Sequence, residues 1–209
     1  MKPSTLPLDF RASVSARTLE EMMARNWGRM RGTTGLQCRA ADSKWLRVNC
    51  AALPAPLLTT YKAKGAIPDP HPLAMGVFTG GALEEPVVRR ADLIITFGLD
   101  TVELIPRRWP YAAPVLNLAR CASSDPGLTV PGGGGYFTPA CEVVGDLAMI
   151  LEDLAPRLGR GETRADWDVA EIDRLKRERL GALEVAVPGL APHRVVQLTR
   201  WLWCPLLHF

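Results

Sequence analysis

The residues best suited to ligand chemistry follow two predicted β-strands. Lys64 and Gly65 come shortly after the apolar run 56–60, and Gly98 closes the apolar run 92–97. Parallel α/β sheets bind ligands where their strands end, so Lys64 and Gly65 are candidates for contact with a cofactor or a neighbouring domain. For Lys64 and Gly65 the competing interpretation is a tight turn that requires glycine. We predict no catalytic residue and no metal ligand in this chain.

Several other motifs could bind a ligand or take part in catalysis, but each can also be explained by a structural role. His71 lies between two prolines and could carry a proton, although such a residue is more often fixed in a loop. The run 131–135 (PGGGG) lacks the Lys-Ser/Thr of a phosphate-binding loop and indicates a flexible connection. The cluster 107–109 (RRW) could bind an anion, stack on a base, contact another domain or form a solvated corner. Acidic residues interleave the basic helix 173–179, so we expect no nucleic-acid partner.

Alternating strand and helix patterns predict an α/β fold. The run 92–97 (DLIITF) is apolar almost throughout, which is typical of a strand buried on both faces of a parallel sheet. Further strands are predicted at 56–60, 114–119 and 141–144, and helices at 18–30, 45–53, 84–91, 146–158, 167–187 and 193–202. In the helix 167–187 the apolar positions Ile172, Leu175, Leu180 and Leu183 are predicted to face inward. Residues 61–81 are predicted to form a long loop.

The amino-acid composition indicates what kind of protein this chain is. The chain has 209 residues, of which 47% are hydrophobic and 22% charged, and a net charge of +3, as expected for a folded domain of ordinary size. Five cysteines without a C-x-x-C pair, and a start (1–10) without an apolar signal region, predict reduced thiols in a cytoplasmic protein. The apolar stretch 195–209 contains Arg200 and is too short to span a bilayer, so we expect no membrane partner.

Two stretches carry a family resemblance. Residues 59–81 read TTYKAKGAIPDPHPLAMGVFTGG, and residues 89–100 read RRADLIITFGLD. In thiamine diphosphate-dependent enzymes of the acetolactate synthase type, a strand leads into a Lys-Gly-x-x-Pro-x-x-His-Pro loop, and a helix with an Ala-Asp ending leads into an apolar strand closed by glycine. The matching positions here are Lys64, Gly65, Pro68, His71, Pro72, Ala91, Asp92 and Gly98. Over residues 35–158 the chain therefore resembles the central domain of this family.

The resemblance implies a six-stranded parallel sheet flanked by helices, Rossmann-like, and normally the middle domain of three. It also implies thiamine diphosphate (thiamine pyrophosphate) and Mg²⁺, which the other two domains bind through a glutamate, a Gly-Asp-Gly motif and an Asn-Asn pair. Here Gly145-Asp146 is followed by Leu147, and the three asparagines are never adjacent. We therefore expect a fragment that is structural and not catalytic, with the missing pyrimidine- and diphosphate-binding domains, or other subunits, as partners.

Flavin-containing relatives suggest a further comparison. Gly98 resembles the glycine that closes this strand in them, and this position makes it a candidate cofactor-binding residue by resemblance. In those relatives the chain continues into an Arg-rich segment that contacts FAD, whereas 99–101 reads LDT here. Their later strand ends in Asp-x-Asp near the adenosine, whereas 118–120 reads LAR. FAD binding is therefore not expected. The alternative function is a stand-alone nucleotide-binding module for FAD, ADP, coenzyme A or NAD.

The resemblance also divides the chain. Residues 1–34 are predicted to be a divergent flank without the family's apolar first strand, and residues 35–160 the central domain. Residues 161–200 are predicted to be a helical linker toward a missing C-terminal domain, and residues 201–209 a divergent tail. A missing strand and an apolar tail would leave uncovered surface, so we expect self-association.

Overall fold

Six parallel strands form one sheet in the order β3-β2-β1-β4-β5-β6. The structure is a computed structural model that describes residues 30–35, 37–52, 55–68, 70–123, 136–158 and 167–203. The strands are β1 (Met30–Thr34), β2 (Leu57–Thr59), β3 (Ala74–Val77), β4 (Leu93–Phe97), β5 (Val115–Ala119) and β6 (Cys141–Val144). The prediction of a Rossmann-like parallel sheet flanked by helices is confirmed.

Five α-helices accompany the sheet in the described residues. They are α1 (Ser43–Ala52), α2 (Glu85–Val88), α3 (Leu147–Leu158), α4 (Val169–Gly181) and α5 (Pro192–Trp203). Pro86 lies in the first turn of α2, where its missing N–H costs nothing. Asp168 caps α4, because its carboxylate accepts a hydrogen bond from the Ala170 N–H at 3.0 Å. All five agree with a predicted helix to within a few residues, except that α4 ends at Gly181.

The sheet buries apolar side chains on both faces. All five positions of β4 and of β5 are buried. On one face α1 and α3 pack together, with Leu46, Leu147 and Leu151 fully buried. On the other face α2 and α4 contribute to a second cluster that contains Ile94. The domain is therefore a three-layer α/β structure with helices on both faces of the sheet.

The presence of β1 contradicts one prediction made from the sequence. The sequence before Gly35 lacks an apolar pattern, and the prediction that the first strand is missing was wrong: residues 30–34 lie at the centre of the sheet, paired with both β2 and β4. A Cβ atom on Gly32 would lie 2.7 Å from Leu57 Cδ2 and 3.2 Å from Phe97 Cε2. Large side chains of the neighbouring strands thus fill the space around Gly32, so the strand needs no apolar side chain there.

Two further details differ from the sequence predictions. The predicted loop 61–81 contains the edge strand β3, which includes a positive-φ residue, Gly76, at φ 90°. In the C-terminal part of the predicted helix 167–187, Leu180 and Leu183 are 64% and 49% exposed and do not face inward. Leu180 lies in the last turn of α4 and Leu183 lies beyond its end at Gly181, whereas the buried residues of the helix are Ile172 and Leu175.

Some predictions concern residues 1–29, 124–135 and 204–209, outside the described residues: the helix from residue 18, the run 131–135 and most of the tail. The domain boundaries at 34, 160 and 200 stay predictions. The described cysteines Cys38, Cys50, Cys121 and Cys141 are free thiols. Within the described ranges, no helix has the length and apolar character needed to cross a membrane.

Ile94→Asp should abolish cooperative folding. Ile94 is 1% exposed in the second cluster, and an unpaired buried carboxylate costs several kcal/mol, comparable with the ~5–15 kcal/mol of a whole domain. The matched control is Val102→Asp at a position that is 72% exposed. Thermal melts followed by circular dichroism should show a parent-like transition for the control and none for Ile94→Asp.

Candidate functional site

The loops that follow β1 and β4 meet where the strand order reverses, the usual position of a ligand crevice in such sheets. A Cβ atom on Gly35 would lie 2.5 Å from Leu99 Cα and 2.7 Å from the Gly98 carbonyl oxygen. The Gly35 N–H donates to Phe97 O at 3.0 Å, and the Gln37 N–H donates to Gly98 O at 2.9 Å. The two backbones are therefore in direct contact at the switch point, and glycine is required at position 35.

Arg120, the first residue after β5, joins the surrounding loops. Its guanidinium donates to both carboxylate oxygens of Asp42 at 2.8 and 2.9 Å and to Asp146 Oδ2 at 2.8 Å. Its Nε donates to Gln37 O at 3.1 Å, and its backbone N–H donates to Gln37 Oε1 at 2.8 Å. One side chain thus ties together the connections after β1, β5 and β6. We call Arg120, Gln37, Asp42 and Asp146 the switch-point cluster.

The charged groups of this cluster pair with one another, since the single guanidinium of Arg120 faces the two carboxylates of Asp42 and Asp146. Asp42 is fully buried and also accepts a hydrogen bond from the Arg39 N–H at 2.7 Å, while the Arg120 side chain is 15% exposed. Burial by itself would lower the pKa of Arg120, but its hydrogen bonds to Asp146 and Asp42 raise that pKa above the ordinary value. The guanidinium is therefore engaged by protein carboxylates and is not held ready for a ligand phosphate.

Asp146 illustrates why the cluster does not suit a hard metal ion. Its Oδ1 accepts hydrogen bonds from the N–H groups of Ala148 at 3.1 Å and Met149 at 3.3 Å, at the start of α3, and its Oδ2 faces Arg120. Both carboxylate oxygens already have donors, whereas Mg²⁺ needs several free oxygen ligands. Within the described part of the chain, no group of three or more His, Cys, Asp or Glu residues could hold a metal. The residues present therefore do not fit Mg²⁺ or the diphosphate that it would bind.

The cysteine beside the switch point is not a nucleophile. The Cys38 thiol donates to Phe97 O at 3.0 Å, and burial raises its pKa to about 11. Burial likewise raises the pKa of Cys50 to about 12. Because the thiolate is the reactive form, both groups are held as inert thiols at neutral pH.

The structure places the predicted site residues apart. Lys64 and Gly65 lie in an exposed turn after β2, where Gly65 has φ 93° and no described heavy atom lies within 4 Å of the position of a Cβ. Gly98 is buried at the switch point, where a Cβ would meet Cys38 N and Gln37 Cβ at 3.1 Å each. Gly98 therefore packs protein backbone, whereas Lys64 and Gly65 face outward. Their contact with a cofactor or domain stays a prediction.

The turn that carries Lys64 is held by Glu103. The Glu103 carboxylate accepts hydrogen bonds from the Thr60 hydroxyl at 2.8 Å and from the Lys62 N–H at 3.1 Å. His71 is part of the loop that follows, since its Nδ1 accepts a hydrogen bond from the Leu73 N–H at 3.2 Å. The geometry supports the interpretation of His71 as a fixed loop residue.

Trp109, from the basic cluster 107–109, lies in the aromatic part of the second cluster. Its ring centroid lies 4.8 Å from that of Tyr111 and 5.7 Å from that of Tyr136, both edge-on, and 4.9 Å from that of Phe137. Arg107 pairs with Glu85, and this hydrogen bond lowers the pKa of Glu85. Protein groups therefore already contact the Trp109 ring, on which a base would stack, and the Arg107 guanidinium, which would bind an anion.

Sequence reasoning missed Gln37 and Asp42, and it named Arg120 merely as a departure from a flavin pattern. One signal was available for Arg120: a charged residue directly after a fully buried strand must lie at the carboxyl edge of the sheet. No local pattern marks Asp42 as its partner, because 78 residues separate the two in sequence.

The fold of this chain is similar to that of part of a known protein. No protein-family model matches this sequence. Among solved structures, the chain is similar to a protein isolated from Mycobacterium smegmatis whose assignment as a thiamin diphosphate-dependent enzyme is itself provisional. The TM-score is 0.53 and the sequence identity 21%, with 80% of this chain covered. This chain has the fold of a domain of that protein.

The similarity extends over only part of the Mycobacterium smegmatis protein. The match covers 33% of the Mycobacterium smegmatis chain, so this chain spans about a third of the length of that protein. The similarity is thus to one part of a larger protein.

Arg120→Ala should destabilise the chain by about 3 kcal/mol, the lower end of the loss when one partner of a buried ion pair is removed. Asp42 would remain buried with its charge unpaired, so Asp42→Asn in the same chain should recover part of the loss. The control is Arg174→Ala, whose pair with Glu178 is more than half exposed and contributes about 0.3–0.5 kcal/mol. Urea unfolding gives the comparison; equal losses for Arg120→Ala and the control would contradict the role assigned to Arg120.

Asp146 should titrate at a low pH in the folded chain. The Arg120 hydrogen bond, followed by that of the Met149 N–H, lowers the pKa of Asp146 below its ordinary 3.8. A depressed folded pKa stabilises the fold above about pH 4 and loses that contribution as the pH falls through the lower folded value. Carboxyl carbon NMR should show the Asp146 midpoint below 3.8 in the parent and a return toward 3.8 in Arg120→Ala. An unchanged midpoint in the variant would show that Arg120 is not the cause.

Proposed function

We propose that this chain is the central domain of a thiamine diphosphate-dependent 2-oxo acid carboligase or decarboxylase of the acetolactate synthase type, and that its role is structural. Its task is to hold the other domains of such an enzyme in register. The observation that carries the proposal is the combination of this fold with a switch point closed by the chain's own residues.

Thiamine diphosphate supplies, when bound, the electron sink for breaking or forming a carbon–carbon bond beside a 2-oxo acid carbonyl. The described residues of the switch-point cluster do not fit that group, since Asp146 is occupied as a helix cap and by Arg120. The pyrimidine- and diphosphate-binding parts would therefore come from other domains or subunits. In this proposal the turn with Lys64 and Gly65 faces such a neighbouring domain, because it lies exposed beyond the carboxyl end of β2.

The alternative function is a stand-alone nucleotide-binding module. The strand order favours it, because sheets of this order place a crevice at the switch point. The contact between Gly35 and the segment 98–99 argues against it, since a nucleotide would have to separate two hydrogen-bonded backbones and displace Arg120 from two carboxylates.

The purified chain should neither bind thiamine diphosphate with Mg²⁺ at micromolar concentration nor decarboxylate pyruvate. Titration calorimetry and a thermal-shift panel of FAD, ADP, coenzyme A and NAD test both functions together. A ligand present at a hundred times its dissociation constant stabilises a protein by ~2.7 kcal/mol, so binding would be visible as a higher melting temperature. Saturable, Mg²⁺-dependent binding near one per chain would contradict the structural role.

The control is a double variant that distinguishes a nucleotide crevice closed by the switch-point cluster from the absence of any such crevice. In Asp42→Asn/Arg120→Ala the switch-point cluster loses both of its ion pairs, and no buried charge is left unpaired. Nucleotide binding by the parent chain would favour the alternative function. A positive test of the structural role is to mix the chain with separately expressed flanking domains of an acetolactate synthase-like enzyme: the parent should restore carboligase activity, and the unfolded Ile94→Asp should not.

A further inference from the structure

Among the described strands β3 pairs with β2 alone, so it lies at the edge of the sheet. On the side toward β2, the Leu57 N–H donates to Leu73 O and the Phe78 N–H donates to Thr59 O, both at 2.8 Å. The opposite side of a strand at a sheet edge offers backbone groups with which another strand can pair. Proteins usually block such edges against pairing with another strand.

Two basic side chains of α4 reach the outer backbone of this strand. The Arg179 guanidinium donates hydrogen bonds to the carbonyl oxygens of Met75 and Val77. The Lys176 ammonium donates to the carbonyl oxygen of Pro72, just before the strand. Two carbonyls of a four-residue strand are therefore satisfied by a single side chain from outside the sheet.

The position of α4 is fixed independently of these contacts. Ile172 and Leu175 are 1% and 2% exposed and belong to the second cluster, and Glu171 forms an ion pair with Arg90. Helical spacing of three and four residues then places Lys176 and Arg179 on the stripe that continues from Ile172 and Leu175. The packing of the helix thus presents both cations to the edge strand.

A second feature interrupts the same strand. Gly76 has φ 90°, and the register with β2 shifts between the pairs Leu57↔Ala74 and Thr59↔Val77. Bulges and edge cations are two of the devices that natural sheets use against strand addition. Their coincidence in four residues indicates that this edge has to be kept closed.

We propose that Arg179, assisted by Lys176, closes the β3 edge, and that without its guanidinium β3 pairs antiparallel with the β3 of a second copy. A second copy fits because β3 (AMGV) is uncharged, and identical edges related by a two-fold axis meet in antiparallel register. The inference does not depend on the proposed function, since it concerns association and not cofactor chemistry.

The test compares Arg179→Met, which keeps a long apolar stem but removes the donors, with Arg174→Met on the exposed face of the same helix. Light scattering after gel filtration should give about twice the parent's mass for Arg179→Met and the parent's mass for Arg174→Met. Hydrogen exchange read by mass spectrometry should slow about tenfold in residues 72–78 of Arg179→Met. Adding Val77→Lys, which places a charge on the edge, should return both readings to those of the parent.

The readings distinguish this edge from other routes of association. A larger mass without slower exchange in 72–78 would mean association through another surface and would overturn the proposal. Parent-like mass and exchange in a folded Arg179→Met would overturn it as well. If Arg179→Met loses its cooperative melt, Arg179→Leu, which also lacks hydrogen-bond donors, replaces it with the same expectations. Unfolding of both variants would show that Arg179 supports the core and does not guard the edge.

Discussion

The contact between the backbones that follow β1 and β4 is the constraint on which the rest of this structure depends. Gly35 lies so close to Gly98 and Leu99 that a methyl group in its place would overlap main-chain atoms. The contact brings together connections that in many parallel sheets stay apart to admit a ligand. It also fixes where the loop 37–42 can lie, and hence where Asp42 meets the guanidinium of Arg120. Backbone packing comes first here, and the ion pairs follow from it.

The two faces of the sheet are completed in different ways. Helices α1 and α3 cover one face as a packed pair, and their buried side chains are aliphatic except for Asn49 and Cys50 of α1. The other face has a single-turn helix, α2, an aromatic group around Trp109, and α4, which follows the undescribed segment 159–166. Because α4 brings both apolar side chains and the edge-capping Arg179, one helix contributes to the burial of that face and to the protection of its border.

Elements with a continuous apolar pattern could be predicted from the sequence, and elements defined by their neighbours could not. β4, β5, β6 and α3 lie within a few residues of their predicted bounds, since their own side chains are buried. β1 escaped prediction because its centre, Gly32, is covered by Leu57 and Phe97 of the adjacent strands. β3 escaped because it is short and includes Gly76 in a left-handed conformation. The switch-point cluster joins residues up to 109 positions apart, from Gln37 to Asp146, and such pairings leave no local trace.

The central position of β1 has a kinetic consequence. β1 is the earliest described strand in the chain, yet Met30 pairs with Leu93, which is synthesised about sixty residues later. At ribosomal speeds of ~5–20 residues per second, that interval lasts roughly 3–13 s. Until β4 has been synthesised, β1 can pair with β2 alone, and its other edge stays open. Pairings this distant in sequence slow folding, so the centre of the sheet cannot close before β4 is available.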